Sequence, residues 1–152
     1  MKTLIVMALL LIVVWQSDAQ DTVTGKTEHS FVEWNFGAAV IPDEDFVFPG
    51  TSVLWGKTYI NENNFIFEYE AGFALPSIAT GKVGIGKQFN TTKVLMGVRP
   101  FPFHLFLQSS FTNGKKGYWI ASVEYNPMDP ELGVSFGSRA IFNIGYRWTI
   151  KK

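Results

Sequence analysis

An all-β fold is what this sequence predicts: an eight-stranded antiparallel up-and-down transmembrane β-barrel with a side-chain-filled polar interior. Three observations point there. Bulky apolar residues recur at every second position through most of residues 29–149, while the positions between them carry glycines and charges, which is the period of a strand and not of a helix. Tight Asn- and Gly-containing connections alternate with longer ones, as in a chain of hairpins. Aromatic residues make up 16% of the 152 positions and charged residues only 17%, with 14 Phe and 14 Gly, a bias suited to strands lying between an apolar phase and a cramped interior.

The N-terminus is a separate element. MKTLIVMALLLIVVWQSDAQ places Lys2 before an unbroken apolar run from Leu4 to Trp15, then sets Ser17 and Ala19 two apart, the pattern of a secretory signal peptide over 1–19 with cleavage after Ala19. The run is too short to cross a bilayer as a helix. Residues 20–28 are polar and are expected to be a flexible segment, which leaves 29–152 for the barrel domain. The chain has no cysteine, so an exported protein of this size holds together without the disulfides that small secreted domains lean on. Formal net charge is zero, and with no long basic run there is nothing to draw it to nucleic acid.

The strands follow in order. The first, 29–41, puts Val32, Trp34, Phe36, Ala38 and Val40 on one side and Glu33, Asn35 and Gly37 on the other. The second, 51–60, aligns Val53, Trp55 and Tyr59 with Lys57, and the third, 64–75, opposes Phe65, Phe67, Tyr69, Phe73 and Leu75 to Asn64, Ile66, Glu68, Glu70, Gly72 and Ala74. The fourth and fifth, 78–89 and 92–100, repeat the theme around Lys82, Gly84, Gly86, Gln88, Lys93, Gly97 and Arg99. In the sixth, 103–112, Phe103, Leu105, Leu107 and Phe111 face away from His104, Gln108 and Ser110; the seventh, 117–126, sets Trp119 against Glu124. The eighth, 134–149, separates Phe136, Ala140, Phe142, Ile144, Tyr146 and Trp148 from Ser135, Gly137, Arg139, Asn143, Gly145 and Arg147. NENN, NTT and NGKK read as hairpin turns at one end, and DEDFVFPG and NPMDPELG as long loops at the other. Lys57 and Lys87 break the apolar side near the turn end, where a lysine snorkels to the headgroups.

Size decides which face is enclosed. An eight-stranded barrel has room inside only for its own side chains; glycines and charges fit there, and a dozen aromatics do not. Folding each hairpin about its turn sets Glu70 opposite Lys82, Gln88 opposite Lys93 and Arg99 opposite His104, with Glu124 close to Arg139; closure brings Arg147 to Glu33. The enclosed face then holds Glu33, Glu68, Glu70 and Glu124 against Lys82, Lys93, Arg99, Arg139 and Arg147, with His104 among them. Such near-balance is what a buried polar lumen demands. The lipid-facing residues are Trp34, Phe36, Phe67, Tyr69, Phe73, Leu105, Leu107, Trp119, Phe142, Tyr146 and Trp148.

Signal peptide, eight alternating strands, short turns at one end and a terminal strand ending SRAIFNIGYRWTIKK together resemble the small eight-stranded outer-membrane β-barrels of Gram-negative bacteria. Such barrels usually end on an aromatic residue, whereas here Trp148 is followed by Thr149, Ile150, Lys151 and Lys152. The resemblance implies outer-membrane localisation, lipids including lipopolysaccharide as the surrounding partners, a monomer, and a structural or surface-interaction role, with a surface or periplasmic protein partner left open. Eight strands leave no aqueous channel, which argues against a porin.

For chemistry the sequence offers little. With two histidines, His29 and His104, and no cysteine, no metal cluster and no cofactor is expected, and no enzyme activity. Loop carboxylates Asp43, Glu44, Asp45, Asp129 and Glu131 lack the rhythm of a calcium loop, and Lys115, Lys116, Lys151 and Lys152 read as solubilising charges at the other rim. Asn90-Thr91-Thr92 matches a glycosylation acceptor but lies in a tight turn. Two alternatives stay open: a secreted lipocalin-like soluble barrel with an apolar ligand among the aromatics, and a lipid-modifying barrel enzyme using His104 with a serine such as Ser135.

Overall fold

The computed structural model describes residues 27–41, 46–112, 117–128 and 138–150. The described residues form eight strands, β1(Thr27–Ile41), β2(Phe46–Ile60), β3(Phe65–Leu75), β4(Ile78–Phe89), β5(Thr92–Phe101), β6(His104–Thr112), β7(Gly117–Tyr125) and β8(Ala140–Ile150). Each pairs antiparallel with the next, and β8 pairs with β1 to close the barrel. Closure removes every free sheet edge along the shared length of the strands.

The short turns owe their shape to asparagine. Asn64 and Asn90 adopt φ of 61° and 51°, a left-handed conformation that asparagine tolerates better than most residues. At the first of these turns the Asn61 side-chain oxygen also accepts hydrogen bonds from the amides of Asn63 (3.0 Å) and Phe65 (2.9 Å). Between β4 and β5 the register shifts, Gly81 pairing with Phe101 but Val83 with Val98; the extra residue falls by Pro100, which has no N–H to give to a ladder.

Several boundaries differ from the sequence expectation. β1 starts at Thr27, inside the segment expected to be flexible. β2 starts at Phe46, so the last five of the eight residues of DEDFVFPG are strand. Pro49 does not break it, because β2 pairs with β3 only up to Thr51–Leu75 while its pairing with β1 continues through Pro49–Ala38 to Phe46–Ile41. Beyond Thr51 it is an edge strand, where proline is tolerated. β8 begins at Ala140, not 134. The signal peptide, the acidic residues at 43–45, 129 and 131, the lysines at 115, 116, 151 and 152, and Ser135, Phe136 and Gly137 lie outside the described residues.

The faces are inverted relative to a soluble protein. Phe73 is 67% and Ile144 65% exposed, whereas Glu33, His104 and Glu124 are 0% exposed. All the aromatic and leucine residues read as lipid-facing stand on the outside; Tyr146 is half-buried because its ring sits between Trp119 (5.2 Å) and Trp148 (5.0 Å). Together with Tyr59, Phe67 and Tyr69, whose rings pack at 6.2–6.3 Å, these rings form an aromatic band at the turn end. No aromatic calyx of the lipocalin kind exists among the described residues.

The interior is not purely polar, which corrects the expectation of a wholly small-and-charged filling. Phe31, Leu54, Ile66, Leu95, Phe106 and Ile120 point inward and are buried. Phe106 fits because β4 and β5 offer glycine beside it: a Cβ on Gly84 or on Gly97 would come within 2.8 Å of its ring. Bulk on one strand is admitted by its absence on the neighbours.

Candidate functional site: a charged lumen beneath a vestibule

The alternation of the strands delivers charged side chains into the lumen from every side. Arg147 on β8 is the hub of a lower group. Its Nε donates to Glu33 (2.8 Å), its Nη1 to Glu68 (2.7 Å), and its Nη2 to Glu33, Glu68 and Glu70. The guanidinium lies 3.6 Å from the centroid of the Phe31 ring, so the plane of the cation is used as well as its edge. Glu33 also accepts from Asn35 (2.7 Å) and Glu68 from Thr58 (2.6 Å). Lys93, buried on β5, stands 4.5 Å from the ring centroid of Tyr118.

Lys82 joins this group to an upper one, lying 3.5 Å from Glu70 and 3.3 Å from Glu124. Glu124 in turn accepts from Arg99 (2.8 Å) and Asn143 (2.8 Å). Here satisfaction is incomplete: Arg99 Nε and Glu124 Oε2 are buried with no hydrogen-bond partner.

Arg139 corrects the sequence reading. It lies before β8, not in it, is half-exposed, and holds its guanidinium 5.6 Å from the ring of outward-facing Tyr125, whose hydroxyl accepts from it at 3.3 Å. The parity of β8 does not extend through residue 139, so counting back by twos from Arg147 misplaces it. Glu124 therefore has Arg99, Lys82 and Asn143 as partners. Among the described residues, buried acids and bases then number four each, Glu33, Glu68, Glu70 and Glu124 against Lys82, Lys93, Arg99 and Arg147. Outside, Lys57 bonds Glu28 (2.6 Å) and Lys87 lies over Phe65.

Above Arg99 the lumen opens into a vestibule of about 300 Å³ at the loop end. It exists because the inward positions there are small: Gly37 and Ala39 on β1, Gly50 and Ser52 on β2, and Ala74 on β3, with Arg99, Ser138 and Asn143 contributing polar atoms. Below it His104 is buried on β6. Its Nδ1 lies 3.1 Å from the Pro102 carbonyl and its Nε2 3.1 Å from Ser138 Oγ. A carbonyl only accepts, so in the neutral ring Nδ1 carries the proton and the Ser138 hydroxyl donates to Nε2. Ser138 had no sequence signal, being 34 positions from His104 and outside any strand; Asn35 and Asn143 were legible on the polar side of their strands but not as carboxylate partners, and Thr58 was not singled out. Among the described residues there is no group of three or more His, Cys, Asp or Glu able to hold a metal ion.

No protein-family model matches the chain, and no curated protein matches it in sequence. In fold it is similar to Ail, the attachment invasion locus protein of Yersinia pestis, solved in complex with the heparin analogue sucrose octasulfate. That likeness has a TM-score of 0.51 at 9% sequence identity and covers 84% of this chain and 100% of that one. The fold is that of a small eight-stranded outer-membrane barrel.

Proposed function

We propose that this chain is an integral protein of a Gram-negative outer membrane that displays its loop end at the cell surface for interaction, and that it is neither a porin nor an enzyme. The observation that carries this reading is the inversion of faces: aromatic and aliphatic residues outside, a neutralised charge network inside. Hydrocarbon requires the first and a narrow closed lumen the second. With Thr27, Ile150 and the short turns placed on the periplasmic side, the extended β1–β2 pairing and the end of β7 at Tyr125 face the cell surface, and connections on a rigid scaffold are where binding concentrates. The fold neighbour is named for attachment and invasion, which supports a surface role. Its sulfated ligand is not carried over to this chain, whose longer connections contain Asp43, Glu44, Asp45, Asp129 and Glu131, charges that repel sulfate. Arg139, outside the barrel beside Tyr125, suits the phosphates of surrounding lipopolysaccharide.

Fractionation of cells producing the full chain, followed by gels run with and without boiling, tests the location: a heat-shifted band in the outer membrane is expected, and recovery from soluble periplasm ends the proposal. Replacing 42–45 and 129–137 by short Gly-Ser linkers tests the role, with loss of cell-surface binding but not of insertion expected. One observation favours the rival reading of a lipid-modifying enzyme, the Ser138–His104 hydrogen bond beside the vestibule. Ser138→Ala that left lipid A composition unchanged would remove it.

A further inference from the structure

The vestibule differs from the rest of the lumen in three ways that together define a ligand. It is hollow, with about 300 Å³ of free space. Its walls are largely apolar, formed by residues such as Ala39, Ile41, Phe48, Ala74 and Ile141. Its floor is cationic: Arg99 lines the cavity, holding Glu124 through one amino group of its guanidinium, while its Nε, unpaired, is closed off beneath.

The sign of the ligand's polar group follows from the local charges. In the upper group two cations, Lys82 and Arg99, flank the carboxylate Glu124; in the lower group three carboxylates meet on Arg147, with Lys93 as the second buried cation there and Lys82 reaching Glu70. The lumen is neutral in total but polarised along its axis, with the positive surplus beneath the vestibule. Size follows from volume: 300 Å³ corresponds to roughly ten water-sized groups at about 30 Å³ each. We propose that the vestibule is a binding site for a small amphipathic monocarboxylate, its carboxylate against the Arg99 guanidinium and its short apolar chain against the β1–β3 wall. This reading is independent of what the loops bind, since it uses none of their residues.

Octanoate, which has an apolar chain and ten non-hydrogen atoms, is the probe, with n-octanol as the uncharged control. The full mature chain is inserted in lipid nanodiscs, insertion is checked by heat-modifiability, and binding is measured by equilibrium dialysis against empty discs. Saturable one-to-one binding of octanoate is expected, with octanol weaker by about tenfold or more. Arg99→Gln should remove that preference for the carboxylate. Ala39→Phe, which fills the cavity without replacing a charged group, should remove binding of both compounds. Equal binding of octanoate and octanol, an unchanged preference in Arg99→Gln, or retention of octanoate by Ala39→Phe overturns the proposal. So does uptake no greater than that of empty discs, which means the cavity holds water only.

Discussion

Arg147 and Arg99 are both buried guanidiniums in one lumen, and they are employed differently. Arg147 spends its donors on three carboxylates and its face on Phe31. Arg99 makes one charged hydrogen bond, to Glu124, and leaves its Nε unpaired below an open cavity. Glu124 would keep Lys82 and Asn143 if Arg99 were lost, whereas Glu33 and Glu68 have Arg147 as their short-range cation. The lower site is a closed structural joint. The upper one has capacity left over, and a molecule that stores unsatisfied polarity beside a cavity is equipped to bind.

Four substitutions break or sharpen this contrast, all read as the urea midpoint of barrels refolded in lipid vesicles. Arg147→Met strands three carboxylates in the lumen and should cost about 3–5 kcal/mol or prevent folding altogether; a loss under 1 kcal/mol would show that water or protons substitute freely. Leu107→Lys puts a charge on the outer face at mid-barrel, where Leu107 is flanked by Met96 and Val123, and should cost about 2–4 kcal/mol. An unaffected midpoint in lipid would deny that this face meets hydrocarbon. Arg99→Met should cost only about 1.5–3 kcal/mol, and a loss equal to that of Arg147→Met would erase the distinction between the two groups. Ile78→Gly should stabilise by about 1 kcal/mol, because Ile78, a β-branched residue, is held at φ 66°, in the left-handed region that glycine enters without penalty; a lower midpoint would mean that its exposed side chain earns its place by packing.

What was legible in the sequence was parity. Within a strand, every second residue shares a face, so Trp34, Phe67 and Leu107 go out while Glu33, Glu70 and Lys82 go in, and short turns fix which residues meet across a hairpin. Parity fails where the strand ends, and Arg139, Ser138 and the start of β8 are the places where it failed. Nor does it say how deep an inward residue sits. Phe106 and Ile66 share a face with charged residues yet form an apolar patch, and the small residues that hollow the vestibule come from three strands whose relative heights depend on barrel stagger. Pro49 misled for a related reason: it ends a strand only where both neighbours need its N–H, and here β3 has already stopped.

The position of the charges along the chain has a consequence for assembly. Strands β1–β4 bring three acids and one base to the lumen, Glu33, Glu68, Glu70 and Lys82, a net of −2; β5–β8 bring three bases and one acid, Lys93, Arg99, Arg147 and Glu124, a net of +2. Before the seam forms, the nascent halves are oppositely charged sheets, each poorly suited to an apolar surrounding by itself. Glu33, Glu68 and Glu70 on Arg147, and Lys82 on Glu124, join the two halves, and of these Glu33–Arg147 does so directly across the β1–β8 seam, 114 positions apart.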